Sequence, residues 1–167
     1  MDDAETPSSS DDAAVLRQAL GTIQDKARSL RWADERPWTV DGHIWVEHSL
    51  PVIDLHDLNM RLARETVRTV TTLGSELRCG AVCFITGRGR HSIGPPALRG
   101  MVAAELRRAC KNHPSWNQRA GHAGRWMLIT DPSRAPRVAT GQLGILFWMG
   151  VAAFLGLATW ALLGLPS

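Results

Sequence analysis

Two short apolar runs, Val52–Leu55 and Ala81–Ile85, are separated by about one helix of amphipathic sequence. Strand, helix and strand is the content of a βαβ unit, and such a unit brings its two strands into one sheet, parallel to each other. Neither run alternates polar with apolar residues, so both read as strands covered on two faces. Between them, Asp57 or Asn59 caps a helix that reaches about Leu73, with Leu62, Thr66, Val70 and Leu73 inward and Gly74 closing it.

The rest of the chain extends this unit. Gly87, Gly89 and Gly94 mark a loop. Pro95 and Pro96 open a second helix, where proline is tolerated. Leu98, Met101, Val102, Leu106 and Ala109 form its inner face, and His113-Pro114 breaks it. A last strand is expected over Arg125–Thr130, and His43–Val46 alternates like an edge strand. Upstream, Asp11 or Asp12 caps a helix expected to run to about Trp32, with Val15, Leu16, Leu20, Ile23, Ala27 and Leu30 on one face. That face suits either the domain or a second copy, so the oligomeric state stays open.

The expected fold class is α/β. An acidic tail at 1–10 is too polar to fold. A helical N-terminal extension covers 11–50, a compact βαβ domain 51–131, and a Pro/Arg/Ser linker 132–142. Leu143–Leu165 then runs for 23 residues without a charge. As a helix it covers about 34 Å, enough for a hydrocarbon core of about 30 Å. Trp148 and Trp160 suit the interfaces, and Arg125, Arg134 and Arg137 precede the run. The expectation is a single transmembrane helix through 143–165, with the amino-terminal domain on the cytosolic side. The tail at 1–10 reads neither as a secretory signal nor as an Arg-rich transit peptide.

Charge is unevenly placed. Residues 1–50 hold ten acidic against five basic side chains, −5 in all, whereas 51–139 hold 14 basic against six acidic, +8. Thirteen of those 14 cations are arginine, whose planar fork matches phosphate oxygens. A polyanion or an anionic lipid surface is the partner such a domain suits. Cys79, Cys83 and Cys110 lack metal-site spacing and read as reduced, buried thiols.

Ligands of parallel α/β sheets sit beyond the carboxyl ends of the strands. Ile53-Asp54-Leu55-His56-Asp57-Leu58 lies at one such end, and Thr86-Gly87-Arg88-Gly89-Arg90-His91-Ser92 at the next. Asp54 and His56 are two apart, so an extended strand projects both to one side. A carboxylate beside an imidazole fixes its tautomer. Gly87 and Gly89 let backbone N–H groups approach a phosphate, and Arg88, Arg90 and Arg99 add charge-assisted contacts. His91 supplies a second imidazole. Two histidines around one phosphate suggest acid–base cleavage of a phosphodiester. With RNA, a base activates the 2′-hydroxyl and no metal is needed. With DNA, a divalent metal or an activated water is expected, so the cofactor stays open.

The two segments together resemble the small MutS-related (Smr) domain, which pairs an LDLHG-type motif with a TGxGxHS loop followed by Leu-Arg and a helix. Here these are Ile53–Leu58 and TGRGRHSIGPPALR from Thr86 to Arg99, and Gly121–Ile129 resembles the family's closing turn and strand. The resemblance covers roughly 51–131. It implies a compact fold similar to the C-terminal domain of translation initiation factor three, nucleic-acid binding, and endonuclease activity on RNA or DNA, with stalled ribosomes among the partners. By position, Asp54 and His56 match the DxH pair, Gly87, Arg88 and Gly89 the Gly-basic-Gly loop, and His91-Ser92 the HS pair. The family's glycine after DLH is Asp57 here, which places a negative charge near the expected phosphate.

Three functions follow. The first is a membrane-anchored Smr-type endonuclease, acting on RNA rather than DNA by hydrolysis or transesterification. Its catalytic residues would be Asp54, His56 and His91, and Gly87, Arg88, Gly89, Arg90, Ser92 and Arg99 would grip the nucleic acid. The second is a non-catalytic module that binds RNA or ribosomes and tethers them to a membrane. The third is an interaction domain that self-associates through its amino-terminal helix.

Overall fold

The computed structural model describes residues 9–30, 37–87 and 97–135. Five α-helices and five strands occur among these residues: α1 (Ser9–Ala19), α2 (Gly21–Ala27), α3 (Val40–His43), β1 (Ile44–Glu47), β2 (Leu50–Asp54), α4 (Met60–Leu73), β3 (Ala81–Ile85), α5 (Ala97–Asn112), β4 (Asn117–Ala120) and β5 (Arg125–Ile129), with a single 3-10 turn at His122–Gly124. The strands form one mixed sheet in the order β1-β2-β3-β5-β4. Only β2 and β3 are parallel; the other three pairings are antiparallel. The β2–α4–β3 unit is therefore the βαβ crossover, built on Asn59, whose side chain accepts from Leu62 N at 2.9 Å to start α4.

Register aligns Ile44, Ile53, Phe84 and Trp126 in one row across four strands. That row, with Val82 and Leu128, packs against Leu62, Val67 and Val70 of α4 and Val102 and Leu106 of α5. Leu16, Leu20 and Ile23 complete the same core at 0–1% exposure. The amino-terminal helices thus pack on their own domain: α1 lies on β1 and β2, and α2 lies on α4.

The single helix expected from Asp11 to Trp32 is two. The chain leaves the helix at Leu20 (φ −94°, ψ 4°) and restarts at Gly21. The break separates a helix that packs on β1 and β2 from one that packs on α4. Asp12 does more than favour its own helix. It is 2% exposed, and its carboxylate accepts from Arg78 N at 3.0 Å and Cys79 N at 2.7 Å. Asp12→Ala strands those two amides and is expected to lower stability by about 2 kcal/mol, read as a shift in urea midpoint; an unchanged midpoint refutes the assignment.

The strand β4 has no sequence signal, because Asn117-Gln118-Arg119-Ala120 is polar and mostly exposed. It is an edge strand held by its ladder to β5. The β1–β2 hairpin turns at His48 (φ 51°) and Ser49 (φ 61°), two positive-φ residues as a type I′ turn requires. Beyond β5, Thr130 N and Asp131 N both donate to Gly80 O, at 2.8 and 3.0 Å. Residues 130–135 therefore leave the sheet at the start of β3, the end opposite Thr86 and Gly87. Among the described residues no helix is long and apolar enough to cross a membrane. The apolar run 143–165 lies outside the described residues, as do the tail 1–8 and the linker from 136.

Candidate functional site

Three backbone segments converge beyond the carboxyl ends of β2 and β3. The first follows β2. Leu55 is fully buried, and its N–H donates to Ile85 O at 3.0 Å, which continues the parallel ladder and holds 54–58 beside 85–87. Asp54 Oδ1 accepts from His56 N at 2.9 Å and lies 2.5 Å from His56 Nδ1. An ionised carboxylate only accepts, so Nδ1 is the donor of this contact, and in the neutral ring Nε2 then presents its lone pair. The His56 side chain is 48% exposed and Asp54 22%, so the pair is open to solvent at the imidazole.

The second segment is Thr86-Gly87. Gly87 sits at φ +73°, and a Cβ there would stand 2.2 Å from His56 Nε2. Only a hydrogen fits under the ring. His56 Nε2 is thus seated on Gly87, the first glycine of the TGRGRHS segment. The third segment is the turn His122–Gly124. Gly124 O accepts from Thr86 N at 2.9 Å and Thr86 Oγ1 at 2.7 Å, and Gly124 has φ +78°. The next residue, Arg125, forks onto Glu47 at 2.9 and 3.0 Å, tying the start of β5 to β1. The hydrogen bond from Arg125 holds the Glu47 carboxyl below the usual carboxylate range, so the tie is present at neutral pH and is lost as acid protonates Glu47.

Asp57 occupies the position where the Smr pattern has glycine, and it adopts a glycine-like φ of +64°. Aspartate tolerates this region better than most residues. Its Oδ2 lies 3.7 Å from His43 Nε2. The His43 side chain is only 17% exposed. It stacks on Trp38 at 5.5 Å, and its Nδ1 lies against the Thr39 backbone. Trp38 Nε1 in turn donates to Asp54 O at 2.8 Å. A second histidine–carboxylate pair therefore backs the first.

No known family model, curated protein or solved structure matches this chain.

Of the residues expected at the site, Asp54, His56 and Gly87 are brought together. Arg99 is exposed in the first turn of α5. Arg88, Gly89, Arg90, His91 and Ser92 lie outside the described residues. Sequence reasoning missed His43, Trp38 and Gly124. His43 precedes Ile44, and the pairing of Ile44 with Ile53 sets it opposite Asp54; the signal existed only once the hairpin register was known. Gly124 likewise reaches Gly87 through the pairing of Arg125 with Ile85.

No three metal-type side chains converge among the described residues. Asp54 and His56 spend one donor and one acceptor on each other. The thiols are not nucleophiles here: burial pushes Cys79 up to about 12 and Cys83 up to about 11, so both stay protonated at neutral pH.

Proposed function

We propose that this chain is an Smr-type endonuclease that cleaves RNA by acid–base catalysis and is held on a membrane by 143–165, its folded domain facing the cytosol. The observation that carries the reading is the His56 Nε2 lone pair, oriented by Asp54 and seated on Gly87 at the head of a Gly- and Arg-rich loop. His56 Nε2 takes the proton of a 2′-hydroxyl, and the 2′-oxygen attacks the adjacent phosphorus. The P–O5′ bond breaks, and the leaving 5′-oxygen takes a proton from an acid, the role of His91. The products are a 2′,3′-cyclic phosphate and a 5′-hydroxyl. Arg88, Arg90 and Arg99 are the side chains assigned to neutralise the charge that develops on the phosphoryl oxygens. The 23 uncharged residues and the arginines before them support the membrane assignment.

A second reading, a non-catalytic tether for RNA or ribosomes, is favoured by one observation. Asp57 adds a carboxylate next to His56 in the chain, 3.7 Å from His43, and so brings negative charge to the neighbourhood of the site. One experiment separates the two. The full-length chain in neutral detergent is incubated with end-labelled single-stranded RNA and DNA, with magnesium or with EDTA. RNA cut to cyclic-phosphate ends in EDTA is the expected result. RNA bound but intact overturns the nuclease reading and leaves the tether; cleavage gained on Asp57→Gly would then name Asp57 as the silencing group.

A further inference from the structure

The outer face of α4 and α5 carries a cluster that the site does not use. Leu62, Ala63, Thr66, Val67 and Val70 of α4 are buried, so Arg61, Arg64 and Arg68 form a stripe on its other side. The stripe starts one turn after the His56 loop and rises about 10 Å along the helix. Across from it, Glu105 of α5 is 8% exposed. Arg68 forks onto that carboxylate at 3.0 and 3.1 Å, Arg108 donates to it at 2.9 Å, and Arg64 Nε lies 3.4 Å away. Burial works to raise the Glu105 pKa, but the Arg68 hydrogen bonds and the charges of Arg68, Arg108 and Arg64 hold it below the usual range. The carboxylate is therefore charged at neutral pH and fixes the arginines around it.

The Arg68 fork fills about two of the roughly four acceptor sites of the carboxylate, and Arg108 and Arg64 add one contact each, so every guanidinium keeps most of its donors unspent. Three guanidinia bring about fifteen N–H donors against about four acceptor sites on Glu105. Their side chains are 46%, 57% and 62% exposed for Arg64, Arg68 and Arg108, so the unspent donors face solvent. Lys26 and Arg61 share Glu65 next to them. The patch thus holds five cations against two carboxylates, an excess of three.

We infer that this face is a second phosphate-binding surface, which holds the strand of a single-stranded RNA leading away from His56. Guanidinium forks pre-set by Glu105 suit discrete phosphates bidentately, at a low ordering cost, better than they suit a fluid layer of headgroups. The patch begins beside the His56 loop, on the helix that leads directly away from it. The inference takes its ligand from the proposed function, and its test fails separately from that reading.

The test uses the full-length chain in neutral detergent and a fluorescent single-stranded RNA, with affinity measured from low to moderate salt. Arg64→Gln and Arg108→Gln leave the Arg68–Glu105 fork in place, so the fold is preserved. Each is expected to weaken binding about five- to tenfold and to lower the salt slope by about 0.7. Arg119→Gln, which removes the same charge from the edge strand β4, is expected to leave both within twofold. Equal effects from all three variants would reduce the patch to net charge and overturn the proposal. So would wild-type affinity in Arg64→Gln and Arg108→Gln. Phosphatidylserine-coated beads that retain the wild type but not these variants, with RNA affinity unchanged, would reassign the patch to a lipid surface. No RNA binding by the wild type would remove both this proposal and the proposed function.

Discussion

Replacing His56 with alanine is expected to slow cleavage of single-stranded RNA by between about a hundred- and ten-thousandfold, the range of a general base. The ring is half exposed and its Nε2 faces Gly87, so its loss opens no core cavity. Folding stability should therefore stay near wild type, and RNA should still bind through the arginines. The check is the initial rate of end-labelled RNA cleavage beside a binding isotherm for the same variant. A variant that keeps a tenth or more of the rate would remove His56 from the mechanism. Equal loss of rate and affinity would make His56 a binding residue and not a base.

The second large effect concerns Gly124. Alanine there would adopt φ +78° and place its Cβ 2.1 Å from Gly87 O, a backbone atom that cannot swing aside. Positive φ and the clash together should destabilise by about 3 kcal/mol. The relief available is to push Gly87 away, which breaks the bonds from Thr86 to Gly124 O and unseats His56. Stability and cleavage should fall together. Gly100→Ala is the contrast: nothing lies within 4 Å of a Cβ there, and the site is an exposed helix position. It should be neutral or stabilising by up to about 1 kcal/mol. A urea midpoint for Gly124→Ala no lower than that of Gly100→Ala would show that the three-segment convergence is looser than described.

Both predictions rest on a site that was half readable beforehand. Asp54 and His56 are neighbours in sequence, and the two-residue spacing along a strand is enough to pair them. Gly87 follows an apolar run, and the βαβ argument was enough to set it beside them. Nothing local marked Gly124, Trp38 or His43. These reach the site through antiparallel pairings between β3 and β5 and between β1 and β2, and such register is set by which residues find a common core. The departure at Asp57 was visible in the sequence, but its left-handed backbone and its approach to His43 were not.

The fold divides in the same way. Continuous apolar runs and the Asn59 cap determined where β2, β3 and α4 lie, because each depends on neighbours within a turn or two of chain. The break at Leu20–Gly21 did not follow from helical periodicity, since only contact with β1, β2 and α4 makes two short helices better than one. The polar strand β4 exists because β5 offers it a ladder. Asp12 looked like a helix cap and became a clamp on the approach to β3, since burial next to two unpaired amides rewards a carboxylate that the sequence shows only as one of ten acids near the amino terminus. Glu105, one acid among the arginines of α4 and α5, gained its place by the same physics: a charge is tolerated under a protein surface only where opposite charges from another element arrive to meet it. Contacts made within a turn of the chain are written in its order of residues; contacts that close over long separations are decided when the core forms.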